Sequence, residues 1–207
     1  MDKIKFLFDF GSPNAFLCHK VIPQVEKRSG AVFEYVPILL GGVFKMTGNQ
    51  SPVTAFASIK NKPAYENIET NRFINKHGIT TFRHNPHFPI NTLNLMRGAV
   101  AAQAAGVFEQ YVNEIYACMW ERELNMNDPE VFKGALLAAE LPADVLLELI
   151  KTEDVKSKLM ANTEQAVAAG AFGSPTFLVG EEIFFGKDRL REVEEEFLRQ
   201  AKVQPGK

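Results

Sequence analysis

A chain of 207 residues with 46% hydrophobic and 23% charged side chains is long enough to bury a core and too apolar to be disordered. A net charge of -2 and a pI near 6.1 carry neither the basic excess of a nucleic-acid surface nor a polybasic run for an anionic membrane. Two cysteines, Cys18 and Cys118, are too few and too far apart for a disulfide framework, and they are expected as reduced thiols.

At the N-terminus, Asp2, Lys3, Lys5 and Asp9 interrupt any apolar run, so no secretory signal is expected. No stretch approaches the roughly 18 apolar residues of a membrane span. A soluble, cytoplasmic protein is the expectation. Ile4, Phe6, Phe8 and Phe10 alternate with Lys5, Leu7 and Asp9, the period of a strand. Gly11-Ser12-Pro13 then opens a helix with Phe16, Leu17, Val21, Ile22 and Val25 at helical spacing. Ser12 is suited to the N-cap and Pro13 to the first helical position. Pro23 predicts a kink or a break, and Gly30 a left-handed stop. Val32 to Pro37 reads as a second strand.

From about Leu39 to Gly170 helical signals dominate. Asp128-Pro129 and Leu141-Pro142-Ala143-Asp144 are helix starts. Tyr111, Val112, Ile115, Tyr116 and Met119 form an apolar stripe, read as core packing. Arg83 to Pro89 is a loop. Beyond Gly170, Pro175 to Val179 and Ile183 to Phe185 read as a hairpin around Gly180-Glu181-Glu182. Gly186-Lys187-Asp188-Arg189 leads into a last amphipathic helix with Leu190, Val193, Phe197 and Leu198.

Ser12 stands where a strand hands over to a helix N-terminus, a place that stabilises an anion; equally, it is a plain helix cap. Ser174-Pro175 enters a strand, where a cis bond would expose the preceding backbone to a ligand and a trans bond would be ordinary. Asp188 is a candidate cap of the last helix and a partner for an ammonium group. Lys45, Asn49 and Lys62 read alone as surface residues. His84 and His87 lack the Cys or carboxylate partners of a metal site, so no metal is expected, and His19 reads as structural or exposed. Neither a phosphate-cradling glycine motif, a dinucleotide fingerprint nor Gly-x-Ser-x-Gly is present.

Taken together, Asp9-Phe10-Gly11-Ser12-Pro13-Asn14-Ala15, Leu39-Leu40-Gly41-Gly42-Val43-Phe44-Lys45-Met46-Thr47-Gly48-Asn49, Pro89-Ile90-Asn91-Thr92-Leu93, Gly173-Ser174-Pro175-Thr176 and Phe184-Phe185-Gly186-Lys187-Asp188-Arg189-Leu190 resemble the 2-hydroxychromene-2-carboxylate isomerase family. That family is similar to kappa-class glutathione transferases and belongs to the DsbA-like thioredoxin-fold group. The motifs run in order over nearly the whole chain.

The resemblance implies an α/β thioredoxin fold interrupted by a large all-helical insertion. Residues 1–38 and 171–207 would form the thioredoxin-like domain and 39–170 the insertion. It implies a cis Pro175, and glutathione as cofactor with Ser12 facing its sulfur as the catalytic group. Ser174 and Pro175 would meet the cysteinyl part, and Lys187 and Asp188 the γ-glutamyl end. Asn49 and Lys62 match glutathione-contacting positions, and Lys45 with Asn49 the substrate side. In the implied isomerisation a thiolate adds to a conjugated double bond, rotation follows, and elimination returns the thiol; a cation such as Lys45 or Lys62 meets the enolate-like charge. A small aromatic or conjugated substrate and a homodimer are implied as well.

Three positions depart from the pattern: Ala15 where a second serine is frequent, Phe184 and Phe185 where tryptophans are common, and Ser174 in place of a larger apolar residue. A kappa-type transferase or peroxidase on another electrophile, and a non-catalytic glutathione- or peptide-binding module, remain as alternatives. Dithiol exchange at the helix start is excluded, since Cys-x-x-Cys is replaced by Ser12 and Ala15. Cys18 lies about 9 Å further along the helix axis than Ser12.

Overall fold

Strand β1 (Ile4–Phe8) is the strand around which the chain organises itself. The computed structural model describes residues 3–203, so the sequence-assigned domain ends at residues 1–2 and 204–207 lie outside the described residues. After β1 come α1 (Pro13–Ser29) and β2 (Phe33–Pro37). Eight helices follow: α2 (Leu40–Thr47), α3 (Pro52–Ala55), α4 (Lys62–His77), α5 (Leu93–Ala104), α6 (Phe108–Trp120), α7 (Pro129–Ala138), α8 (Ala143–Leu149) and α9 (Glu153–Ala168). The chain then returns to the sheet as β3 (Thr176–Val179) and β4 (Glu182–Phe185), and ends in a 3-10 turn (Lys187–Arg189) and α10 (Leu190–Val203).

The sheet has four strands in the order β2-β1-β3-β4. β1 and β2 are parallel, with Phe6 opposite Tyr35, and this needs the α1 crossover. β1 and β3 are antiparallel, with Phe6 opposite Phe177, and β3 and β4 close a hairpin. This is the thioredoxin arrangement, with α2–α9 inserted between β2 and β3.

The period-of-two pattern in β1 does not mark a solvent face. Phe6 and Phe8 point into the larger core, where Phe6 stacks on Phe177 with centroids 5.3 Å apart and meets Tyr35 edge-on at 4.9 Å. Leu7 points the other way and is buried with Ile38, Val43, Ala166 and Ala171. The insertion covers that second face through α2 and α9. A fully buried phenylalanine contributes about 1.5–3 kcal/mol by apolar burial.

Helix α1 runs unbroken through Pro23, where a kink or break was expected. Pro23 lies on the exposed side of the helix, so the backbone acceptor it leaves without a partner is on the water side. Gly30 ends the helix at φ 72°, and its N–H donates to Glu26 O. Asp188 does not cap α10, because it lies inside the 3-10 turn whose cap position is Gly186.

On α1 the His19 imidazole stacks on Tyr116 with centroids 4.9 Å apart, and its Nδ1 is 2.9 Å from the Tyr35 hydroxyl. Burial, with Lys20 next to it, pushes the His19 pKa down to about 4. Between pH 6.5 and 4 the unfolded chain therefore takes up a proton that the folded chain refuses, and stability falls as the pH falls. The expected loss from this group is at most about 3 kcal/mol. Thermal unfolding followed from pH 7 to pH 4 should show that slope in the wild type and a flatter one in His19→Gln; identical slopes would show that His19 is not the group responsible.

Candidate active site

The site forms where β1 ends. Asp9, Phe10 and Gly11 turn the chain into α1, and Ser12 caps that helix, its Oγ accepting from Ala15 N at 3.1 Å. The first turn of α1 contains no acidic residue. Ser12 is buried, and its hydroxyl donates to the carbonyl of Ser174 at 2.8 Å. The Ser174-Pro175 bond is cis, as is Phe88-Pro89. Ser174 Oγ accepts from Asp9 N at 3.2 Å and reaches Leu7 O at 3.4 Å, so both serines join the helix start to the loop before β3.

Asp9 is the residue that the sequence reading left without a role. Its carboxylate is wholly buried and accepts from Gly11 N at 2.8 Å, Leu40 N at 2.8 Å and the Thr92 hydroxyl at 3.1 Å. Those donors belong to the Ser12 turn, the start of α2 and the start of α5. Burial raises the Asp9 pKa, and the hydrogen bonds from Leu40, Gly11 and Thr92 oppose that rise. The sequence did hold one signal: an Asp two residues before a Gly, the pattern of an Asx turn.

The other expected site residues are gathered to different degrees. Asn49, past the end of α2, donates from Nδ2 to Phe172 O at 2.7 Å and so ties down the same loop. Pro175 O accepts from Gly186 N at 3.0 Å, which joins Lys187 and Asp188 to that loop through the next residue. Lys187 is buried, its Nζ 2.6 Å from Asp188 Oδ1 and 5.3 Å from the centroid of the Phe73 ring. Lys62, at the start of α4, pairs with Glu66 at 2.9 Å and lies over the Phe56 ring. Lys45 is exposed in the last turn of α2 and makes no ion pair among the described residues. Among the described residues, neither Lys45 nor Lys62 makes a hydrogen bond to Ser12 or Ser174.

A cleft of about 390 Å³ opens beside Lys187 and Asp188, between α1, α4 and α10, but Ser12 does not line it. Its arginines Arg28, Arg72 and Arg191 are paired with Glu194, Glu69 and Glu195.

An apolar element was also missed. Phe172 and Phe185 pack against each other at a tilt of 43° with centroids 4.5 Å apart, and each remains about two-fifths exposed, at 45% and 41%. A Cβ on Gly173 would come within 2.7 Å of the Phe185 ring, so only glycine admits this aromatic pair beside Ser174.

No protein thiol competes for the site. Cys18 and Cys118 are free and buried; burial drives the Cys18 thiol far above its usual range and pushes Cys118 up to about 12. Among the described residues no group of three or more His, Cys, Asp or Glu side chains is placed to hold a metal, and no helix is long and apolar enough to cross a membrane.

The model of the DSBA-like thioredoxin domain matches residues 3–198. A 2-hydroxychromene-2-carboxylate isomerase of Sphingobium xenophagum is 29% identical over 188 residues, covering 90% of this chain and 93% of that protein. Glutathione S-transferase kappa 1 of Rattus norvegicus is 28% identical over 200 residues, covering 90% and 87%. A solved structure of a 2-hydroxychromene-2-carboxylate isomerase superimposes with a TM-score of 0.82 at 22% identity, over 99% of this chain and 100% of that one.

Asp9→Asn keeps the shape of the side chain but turns one acceptor into a donor facing backbone N–H groups or the Thr92 hydroxyl. Urea unfolding at pH 7 should show a loss of about 1–3 kcal/mol. An unchanged midpoint would show that the carboxylate does not hold these segments together.

Proposed function

Because the chain belongs to the DSBA-like thioredoxin domain family yet carries Ser12 and Ala15 at its helix start, we propose that it is a glutathione-dependent enzyme of the isomerase and transferase type. The leading reading is an isomerase resembling 2-hydroxychromene-2-carboxylate isomerase, acting on a small aromatic or conjugated substrate. The observation that carries it is the Ser12 hydroxyl, buried at the N-terminus of α1 and 2.8 Å from the carbonyl beside a cis proline. The residues present fit the cofactor: a helix N-terminus with no acid in its first turn favours a negative sulfur, and no protein thiolate occupies the place.

Glutathione, when bound, supplies the thiol whose ionised form attacks a conjugated bond. The protein's part is to hold and ionise it. Ser12 offers a hydroxyl proton and the dipole of α1, which together lower the pKa of a nearby thiol. Ser174 and Pro175 offer backbone to the cysteinyl portion. Lys187 and Asp188 form a buried ammonium next to an exposed carboxylate, a pair suited to the zwitterionic γ-glutamyl end. Asn49 and Lys62 complete the glutathione contacts in this reading.

On the substrate side, the exposed Phe172–Phe185 pair offers aromatic, apolar surface to a conjugated ring system. Lys45, with Asn49 near it in sequence, is a cation without an ion-pair partner among the described residues, and it can meet the negative charge that develops on the substrate oxygen. Exposed Met46, Val53, Phe56, Ile59, Tyr65 and Ile68, on α2 to α4 and the link between α3 and α4, support a homodimer. Cytoplasmic localisation follows from the need for a reduced thiol pool.

A kappa-type transferase or peroxidase is the second reading, favoured by the near-equal identities to the isomerase and the transferase, 29% and 28%. A binding module without turnover would bind glutathione and convert nothing.

Calorimetry should detect glutathione binding, and Ser12→Ala should raise the pKa of the bound thiol by about 1–2 units, the size of one charge-assisted hydrogen bond. No binding at millimolar glutathione would reject the reading. Spectroscopic assay with a 2-hydroxychromene-2-carboxylate should show turnover that falls about a hundredfold in Lys45→Ala with glutathione affinity retained. Binding without turnover on this substrate would point to the transferase or to the non-catalytic module.

A further inference from the structure

The positive end of α1 has a negative charge close behind it. Little of that end is free: Pro13 has no N–H, Ala15 N donates to Ser12 Oγ at 3.1 Å, and Phe16 N donates to Ser12 O at 3.1 Å. Three residues before Ser12 stands the buried Asp9 carboxylate, and its surroundings fit the ionised form. Gly11 N reaches Oδ1, while Leu40 N and the Thr92 hydroxyl reach Oδ2; the two backbone groups can only donate. The groups facing Asp9 come from the Ser12 turn, the starts of α2 and α5, and Tyr116 of α6, whose phenol burial keeps neutral. None of them is a cation. A helix N-terminus is equivalent to about half a positive charge, so a full negative charge held this close offsets much of its pull on an arriving sulfur.

We propose that Asp9 is the counterweight to the helix end: its fixed charge keeps the bound thiol only partly ionised at neutral pH. This rests on the glutathione reading above and adds to it the residue that sets the acidity of the thiol. The physical reason for such a counterweight is that a thiolate loses nucleophilicity as its pKa falls, and the most effective thiol has a pKa near the ambient pH. A helix end acting without opposition would give more thiolate, but a weaker one. Asp9 touches neither sulfur nor substrate in this account. It is a positioning residue that acts through its charge, and its main chain fixes where that charge lies: Asp9 O accepts from Ser12 N at 3.0 Å, and Asp9 N donates to Ser174 Oγ at 3.2 Å. No covalent bond forms or breaks at Asp9.

The test reads ionisation of bound glutathione from ultraviolet thiolate absorbance across pH, with affinity from calorimetry, in the wild type, Asp9→Asn and Thr92→Val. Asp9→Asn removes the charge and keeps the volume, so the ionisation constant of the bound thiol should rise about tenfold, the size expected for one nearby like charge. Thr92→Val leaves the carboxylate but takes away one donor to its ionised form. Asp9 then loses its charge at a higher pH, and the thiol should shift the same way by about threefold. A role confined to holding the turn predicts the opposite sign, because a loosened helix start stabilises a thiolate less. An ionisation constant unchanged or lowered in Asp9→Asn would therefore overturn the proposal. Should Asp9→Asn fail to fold, Thr92→Val decides by the same sign. Failure of the wild type to bind glutathione would instead overturn the proposed function, and the role of Asp9 with it.

Discussion

The Asp9 carboxylate is wholly enclosed, and donors from three separate parts of the chain converge on it. Gly11 N belongs to the turn that presents Ser12. Leu40 N is at the first turn of α2, whose own cap residue, Leu39, offers no side-chain hydrogen bond. The Thr92 hydroxyl precedes α5 and turns to Asp9 rather than to its own helix. A buried carboxylate without such donors would be prohibitive, and with them it is a strong tie. Its contact with Leu40 N lies at the N-terminus of α2, where the helix dipole favours the ionised form. One side chain thus fastens the sheet, the Ser12 turn and the insertion to one another.

The insertion repeats that grip around the same strand end. Trp120 Nε1, at the end of α6, donates to Phe10 O at 2.8 Å, and Phe10 N reaches Met96 Sδ of α5 at 3.4 Å. Asn49 holds the carbonyl of Phe172 from beyond α2. The helices between β2 and β3 therefore do more than add bulk to a small sheet. They cover the second face of β1, and they supply the polar groups that hold two otherwise irregular loops, the one before α1 and the one before β3, in contact. Because the Ser12 hydroxyl and the Ser174 carbonyl belong to those two loops, the chemistry proposed for them depends on the insertion as much as on the thioredoxin unit.

Much of the architecture was legible because it rests on local rules. Ser12-Pro13 and Gly30 bracket α1 through capping and a left-handed stop. Asp128-Pro129 opens α7 in the same way. The stripe through Tyr111, Ile115 and Tyr116 is buried as helical spacing requires. Pro23 was misleading because a proline breaks a helix only where its missing hydrogen bond cannot be offset, and here it faces outward. Asp188 was misread because a 3-10 turn intervenes before α10, and a three-residue turn leaves no period to detect. Asp9 escaped because a lone acid at a strand end is ordinarily solvated, and its donors lie 31 and 83 residues further along the chain.

Sequence alone determined the order of elements, the place of Ser12 at a helix N-terminus and the absence of a thiol there, because capping, periodicity and residue identity act over a few neighbouring positions. Tertiary structure decided which groups meet: that the Ser12 hydroxyl is already held by the Ser174 carbonyl 162 residues away, that Phe172 and Phe185 pack together beside that loop, and that Lys62 pairs with Glu66. Such pairings depend on how distant segments pack against a shared strand, and no local propensity encodes them.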